Sequence, residues 1–125
     1  MPLNQGLLNS CMITIYHNNR CSKSRCALKY LTEKGIDFTI INYLETPPTE
    51  LEIEEILKKL HIPAKDLIRK GEKVWKENYA KKDFSEKELI KILSENPILI
   101  QRPIIIHGKK ATIARPLENI FDVLK

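Results

Sequence analysis

Residues 12–43 read MITIYHNNRCSKSRCALKYLTEKGIDFTIINY. The opening MITIY is short, apolar and β-branched, which predicts a buried strand over Met12–Tyr16. HNNRCS is polar and reads as a loop. From about Ser22 to Lys34 the apolar residues Ala27, Leu28 and Leu31 recur at helical spacing, and Gly35 supplies the stop. DFTIINY, Asp37–Tyr43, predicts a second strand. A strand, a helix and a strand joined by a short return form a βαβ unit, so the two strands should be parallel.

Beyond Tyr43 the pattern changes. Proline punctuation precedes Thr49, and Glu52 stands three residues later, the signature of a capping box. Leu51, Ile53, Ile56, Leu57 and Leu60 supply an apolar helix face. Pro63–Lys70 predicts a short helix ended by Gly71, and a turn-rich stretch with Trp75 and Tyr79 follows. Ser85 and Glu88 form a second capping box ahead of Leu89, Ile90, Ile92 and Leu93, and Asn96-Pro97 closes that helix. Strand signals return at Ile104–Ile106, turn at His107-Gly108 and continue over Ala111–Ala114, a β-hairpin. Pro116 at the first helical position starts a last helix, with Leu117, Ile120, Phe121 and Leu124 turned inward. The order βαβ, helices, ββα predicts an α/β domain with a mixed sheet, thioredoxin-like, with a helical insertion at about 49–95 between the second and third strands.

The 125 residues suffice for one domain with its own core. Residues 12–125 are read as that single domain, and residues 1–11 as a disordered extension that adds nothing to the fold. MPLNQGLLNS has neither a basic n-region nor a long apolar h-region, so no signal peptide is expected, and three cysteines suit a reducing cytoplasm. No apolar run approaches the roughly 18 residues of a membrane span. The net charge of +5 is unevenly placed: residues 49–95 hold 11 basic and 11 acidic residues, leaving 10 basic and 5 acidic elsewhere. No nucleic-acid reading motif is present, and the aromatics are not interleaved with the basic cluster as stacking platforms would be.

Three of the basic residues, Arg20, Lys23 and Arg25, surround Cys21 at the expected helix start. Free N–H groups and the helix dipole there favour a thiolate and bind anions. Ser22 and Ser24 offer hydroxyls, and His17 lies four residues back. A thiolate beside an oxyanion pocket can attack the central atom of an oxyanion. Cys21-Ser22-Lys23-Ser24 is Cys-x-x-Ser, which argues against a dithiol oxidoreductase. The residue six after Cys21 is Ala27, which excludes a Cys-x5-Arg phosphatase loop. Cys26 is about 7.5 Å further along the helix at 1.5 Å per residue, too far for a disulfide without backbone movement. It is therefore read as core or partly buried rather than as a resolving thiol, and Cys11 as a bystander. No cysteine–histidine spacing matches a metal site.

HNNRCSKSRCAL, NYLETPPT, LIRK and PILIQRPIII, in that order, resemble the glutaredoxin-coupled arsenate reductases over residues 12–124. The resemblance implies a thioredoxin fold and an activity. The loop cysteine attacks arsenate, glutathione then attacks the adduct as co-substrate, and glutaredoxin recycles the mixed disulfide; no bound cofactor is implied. Carried over motif by motif, the nucleophile is Cys21, the oxyanion-binding arginines are Arg69, Arg102 and Arg115, the auxiliary histidine is His17, and Pro103 matches the cis-proline that faces the cysteine. Ser24 is grouped with these as a hydroxyl of the same loop. Read alone, Arg69 also fits a surface arginine at a helix C-terminus, Arg115 a residue preceding a proline-started helix, and His17 a hydrogen-bonding loop residue. Two alternatives stay open: a glutathione-dependent reductase of another substrate, and a non-enzymatic partner-binding regulator of the Spx type.

Overall fold

The structure, a computed structural model, describes residues 13–18, 20–115 and 117–124. The expected extension over 1–11, with Cys11, lies outside the described residues, as does Pro116. Two compact units are formed, one from the chain up to Asn42 together with the chain from Arg102 onward, the other from Tyr43–Gln101.

The first unit holds a four-stranded mixed sheet ordered β2-β1-β3-β4, the sheet of a thioredoxin-like fold. β1 (Ile13–His17) pairs in parallel with β2 (Phe38–Asn42) and antiparallel with β3 (Ile104–His107), which in turn pairs antiparallel with β4 (Lys110–Ile113). The parallel pair requires a crossover, and α1 (Ser22–Glu33) supplies it. Ser24, Ala27 and Leu31, three and four residues apart, form the buried stripe of α1. Ala27 and Leu31 pack with Ile13, Ile15, Ile105, Ala114, Ile120 and Val123. Full burial of a side chain such as Leu31 contributes about 2 kcal/mol. α1 ends as Gly35 predicts: Gly35 has φ +68, its N–H donates to Thr32 O, and the Ile36 N–H donates to Leu31 O. Both bonds of a Schellman stop are therefore made.

The chain closes with a 3₁₀ turn over Leu117–Ile120 and a short α6 (Phe121–Leu124). Here Phe121 departs from expectation. It is 45% exposed, and Val123 takes the buried position. The change from 3₁₀ to α pitch at residue 121 shifts which side chains face the sheet. Phe121 instead lies beside Tyr30, ring centroids 5.7 Å apart.

The second unit is helical: α2 (Glu50–Leu60), α3 (Ala64–Leu67), α4 (Lys73–Asn78) and α5 (Glu86–Glu95). Both capping boxes form. Thr49 and Ser85 accept from the backbone N–H of Glu52 and Glu88, whose carboxylates accept in return from the N-cap N–H groups. Ile53, Ile56 and Leu57 are buried, but Leu51, expected on that face, is 67% exposed, because it lies on the opposite side of the first turn from Ile53.

Two expectations change. The helix expected over Pro63–Lys70 stops at Leu67, because Ile68 forms an antiparallel bridge to Ile100. The Arg69 N–H donates to Leu99 O at 2.7 Å and the Gln101 N–H to Leu67 O at 2.8 Å, bonds a continuing helix would forgo. The stretch expected to be turns contains α4, with Trp75 buried against Tyr79 and Phe84. Among the described residues, no helix is long and apolar enough to cross a membrane.

Candidate active site

Register places the candidate residues before any side chain is considered. Tyr16 of β1 stands opposite Ile104 of β3, and Ile104 opposite Ile113 of β4. The end of β1, the residues before β3 and those after β4 therefore share one end of the sheet. His17 and the loop to Cys21 leave from there, Arg102 and Pro103 arrive there, and Arg115 departs from there.

The loop is closed by local hydrogen bonds. The Cys21 N–H donates to Asn18 O at 3.0 Å, and the Arg20 N–H to Asn18 Oδ1 at 2.9 Å. The Asn18 N–H donates in turn to Ser24 Oγ at 3.3 Å, tying the strand end to the first turn of α1. Asn18 and Ser24 are both buried. Ser24 thus serves the site as a loop anchor. Asn18 was not singled out from sequence; its signal was the preference of Asn for accepting a backbone N–H two residues on.

Cys21 is the N-cap of α1, extended at φ −97 and ψ 121, and half-buried. Its side chain closes no conventional capping hydrogen bond, and no acidic residue stands in the first turn. Its pKa lies below the ordinary thiol value. Burial pushes it up, but the Ser24 N–H, the Arg102 guanidinium and the Lys23 N–H, all favouring the thiolate, outweigh that, with the Arg102 charge adding to the effect. The helix-end argument is therefore joined by a specific cation from another part of the chain.

Arg102 is buried and is followed by a cis peptide bond to Pro103, which is also buried. The Ala114 N–H donates to Pro103 O at 2.9 Å, which holds the segment against the chain leaving β4. Arg115 is exposed, and its Nη1 donates to Arg102 O at 3.4 Å. His17, the last residue of β1, is buried.

Cys21, Ser24, His17, Arg102, Pro103 and Arg115 thus all belong to the first unit. Arg69 belongs to the second, where its Nε lies 3.2 Å from Glu72 Oε2. It directly follows Ile68, the C-cap of α3, so the reading of Arg69 as an arginine at a helix C-terminus fits its place in the chain.

Cys26 corrects an expectation: it is exposed, not core. The buried stripe of α1 is Ser24, Ala27 and Leu31, and Cys26 is rotated about 100° from Ala27. Among the described residues, no group of three or more His, Cys, Asp or Glu could hold a metal ion.

The ArsC family profile matches residues 16–123. The chain belongs to the ArsC family. An arsenate reductase from Neisseria meningitidis serogroup A is 40% identical over 114 residues, covering 90% of this chain and 97% of that protein. The uncharacterized protein YfgD from Escherichia coli (strain K12) is also 40% identical over 114 residues, covering 90% of this chain and 96% of its own. Among solved structures, an arsenate reductase from Vibrio cholerae superposes with a TM-score of 0.87 at 34% identity, covering 91% of this chain and 98% of the other.

Proposed function

We propose that this chain is an arsenate reductase whose nucleophile is Cys21. The observation that carries the proposal is the Cys21 thiol at the N-cap of α1 with the Arg102 guanidinium favouring its ionised form. ArsC membership and arsenate-reductase relatives of matching length support the choice of oxyanion.

The chemistry follows from the residues. The Cys21 thiolate attacks pentavalent arsenic, an arsenate oxygen leaves as water, and a sulfur–arsenic bond forms. Arg102 and Arg115 present planar, permanently charged forks that suit a tetrahedral oxyanion. Family resemblance adds Arg69 to the anion-binding set and His17 as an electrostatic auxiliary. Glutathione thiolate then attacks the Cys21 sulfur. A sulfur–sulfur bond forms, the sulfur–arsenic pair leaves with arsenic, and arsenite departs with arsenic reduced by two electrons. The Cys21–glutathione disulfide is returned to the thiol by glutaredoxin. Cys26 is not placed to resolve the adduct, since it is displaced along the same helix beyond the roughly 7 Å that a disulfide spans between Cα atoms, and glutathione is proposed as the second thiol. The reducing thiols place the activity in the cytoplasm.

The test mixes the protein with arsenate, glutathione, glutaredoxin and a nicotinamide-coupled recycling system. Arsenate should drive nicotinamide oxidation, Cys21→Ser should abolish it, and Cys26→Ser should retain most of it. Oxidation that does not respond to arsenate rules the proposal out.

A further inference from the structure

The second unit contains a pocket of about 190 Å³. Its lining follows from where α3 stops. Ile68 is extended at φ −89 and ψ 132 and is bridged to Ile100. Side chains two apart on extended backbone share a side. Ile68 and Lys70 accordingly both line the pocket, while Arg69 between them pairs with Glu72 and does not. Lys65, three residues before Ile68 on α3, joins them. After α4 the Tyr79 and Ala80 N–H groups both donate to Trp75 O at 2.9 Å, and the chain returns Lys82 and Phe84 to the side of Trp75.

The lining has an apolar part and a charged part. Ile68, Trp75 and Leu89 are buried and Phe84 is half-buried. Lys65, Lys70 and Lys82 are exposed around them, against one carboxylate, Asp83. None of the three lysines forms an ion pair among the described residues. Glu72, Glu86 and Glu88, close by in the chain, are engaged elsewhere: with Arg69, with the Ala64 N–H and with the Ser85 N–H. The excess is local. The unit carries 11 Lys and Arg and 12 Asp and Glu, net −1, whereas the lining carries three and one, net +2.

Size and chemistry select the occupant. Pockets for drug-sized ligands hold about 300 to 1,000 Å³, a range this one falls below. An apolar cavity of about 150 Å³ takes a single benzene ring. Trp75 and Phe84 offer such a ring an aromatic wall, and ammonium groups beside an apolar surface attract an anion more strongly than in bulk water. We propose that this pocket binds a small aromatic anion, one ring bearing a carboxylate, with the ring against Trp75 and Phe84 and the carboxylate among Lys65, Lys70 and Lys82. The site shares no residue with the thiol chemistry of Cys21 and stands whether or not the chain reduces arsenate.

Trp75 is the only tryptophan, so its indole N–H gives one cross-peak in the nuclear magnetic resonance spectrum of the isotope-labelled chain. Sodium benzoate is titrated at constant ionic strength. The Trp75 cross-peak and the Ile68 and Phe84 amides should move together and saturate, with half-saturation at about 1 mM or below. Benzyl alcohol, the ring without the charge, should bind about ten-fold more weakly or worse, and acetate, the charge without the ring, should not saturate. Lys70→Gln and Lys82→Gln should each weaken benzoate about three-fold or more and leave benzyl alcohol unchanged. Lys73→Gln, whose lysine pairs with Glu77 outside the lining, should alter neither. A Trp75 cross-peak that does not saturate by about 10 mM benzoate overturns the proposal. So does equal binding of benzyl alcohol, or affinity indifferent to Lys70→Gln and Lys82→Gln. Benzoate that moves the Asn18 and Cys21 amides in place of Trp75 sits at the start of α1 and also overturns it.

Discussion

At Cys21 two opposed effects meet, partial burial that favours the neutral thiol and nearby N–H and guanidinium groups that favour the thiolate, and the second set prevails. Iodoacetamide alkylation of Cys21 should therefore stay fast at a pH where an ordinary thiol has become slow, and an alkylation midpoint at the ordinary thiol value would contradict this. The sign for stability follows. A folded-state pKa below the unfolded one stabilises the fold fully above the ordinary value of 9.0, and that contribution is lost as pH falls through the folded-state pKa. Arg102→Ala removes the cation. The Cys21 alkylation midpoint should move up, and half-saturation by arsenate should rise about ten-fold or more, while Lys58→Ala on α2 changes neither. Cys21 and the residues around it were legible because a helix start, a thiol and basic neighbours are adjacent in sequence. Arg102 is some eighty residues away, and only the motif resemblance pointed to it. Cys26 was misread because apolar spacing says which face of a helix is buried but not how narrow that face is.

At the scale of elements, the local signals held where the forces are local. Both capping boxes and the Gly35 stop formed as their residues predict. Thr49→Ala should cost about 1 kcal/mol, read as a lower urea midpoint at unchanged slope, and an unchanged midpoint would show that the cap adds nothing. Where the deciding contact is distant, sequence was silent. Nothing in PAKDLIRK announces that Ile68 will pair with Ile100 and cut the helix short. α4 spans only six residues, too few for a helical period to show, and the packing of Trp75 against Tyr79 and Phe84 marks its place. Leu51 and Phe121 are apolar at plausible spacing, yet each lies at an element's end, where a turn of pitch or phase exposes it.

For the whole molecule, the parallel β1–β2 pair and the β3–β4 hairpin followed from the alternation of strand and helix signals, because a parallel pair needs a crossover and an antiparallel pair only a turn, whereas the β1–β3 pairing that sets the order β2-β1-β3-β4 joins segments far apart in sequence and comes from the structure. The division into two units follows a contrast already present in the composition. The first carries the charge excess, and the second is nearly neutral. A chain that binds an oxyanion only when folded must be stabilised by it. Arsenate at about 100 times its dissociation constant should add about 2.7 kcal/mol, seen as a rise in Tm that Arg102→Ala, with its about ten-fold weaker binding, cuts to about half or less at the same arsenate concentration. A Tm unmoved by saturating arsenate would deny a folded anion site.

The most direct measurement is the oxidation state of arsenic after incubation with the protein, glutathione and glutaredoxin, resolved by chromatography with elemental detection. The account predicts arsenite formed catalytically by the native chain and by Cys26→Ser, and none above the protein-free rate by Cys21→Ser. Arsenite formation that survives Cys21→Ser, or arsenate left unchanged by the native chain, would contradict it.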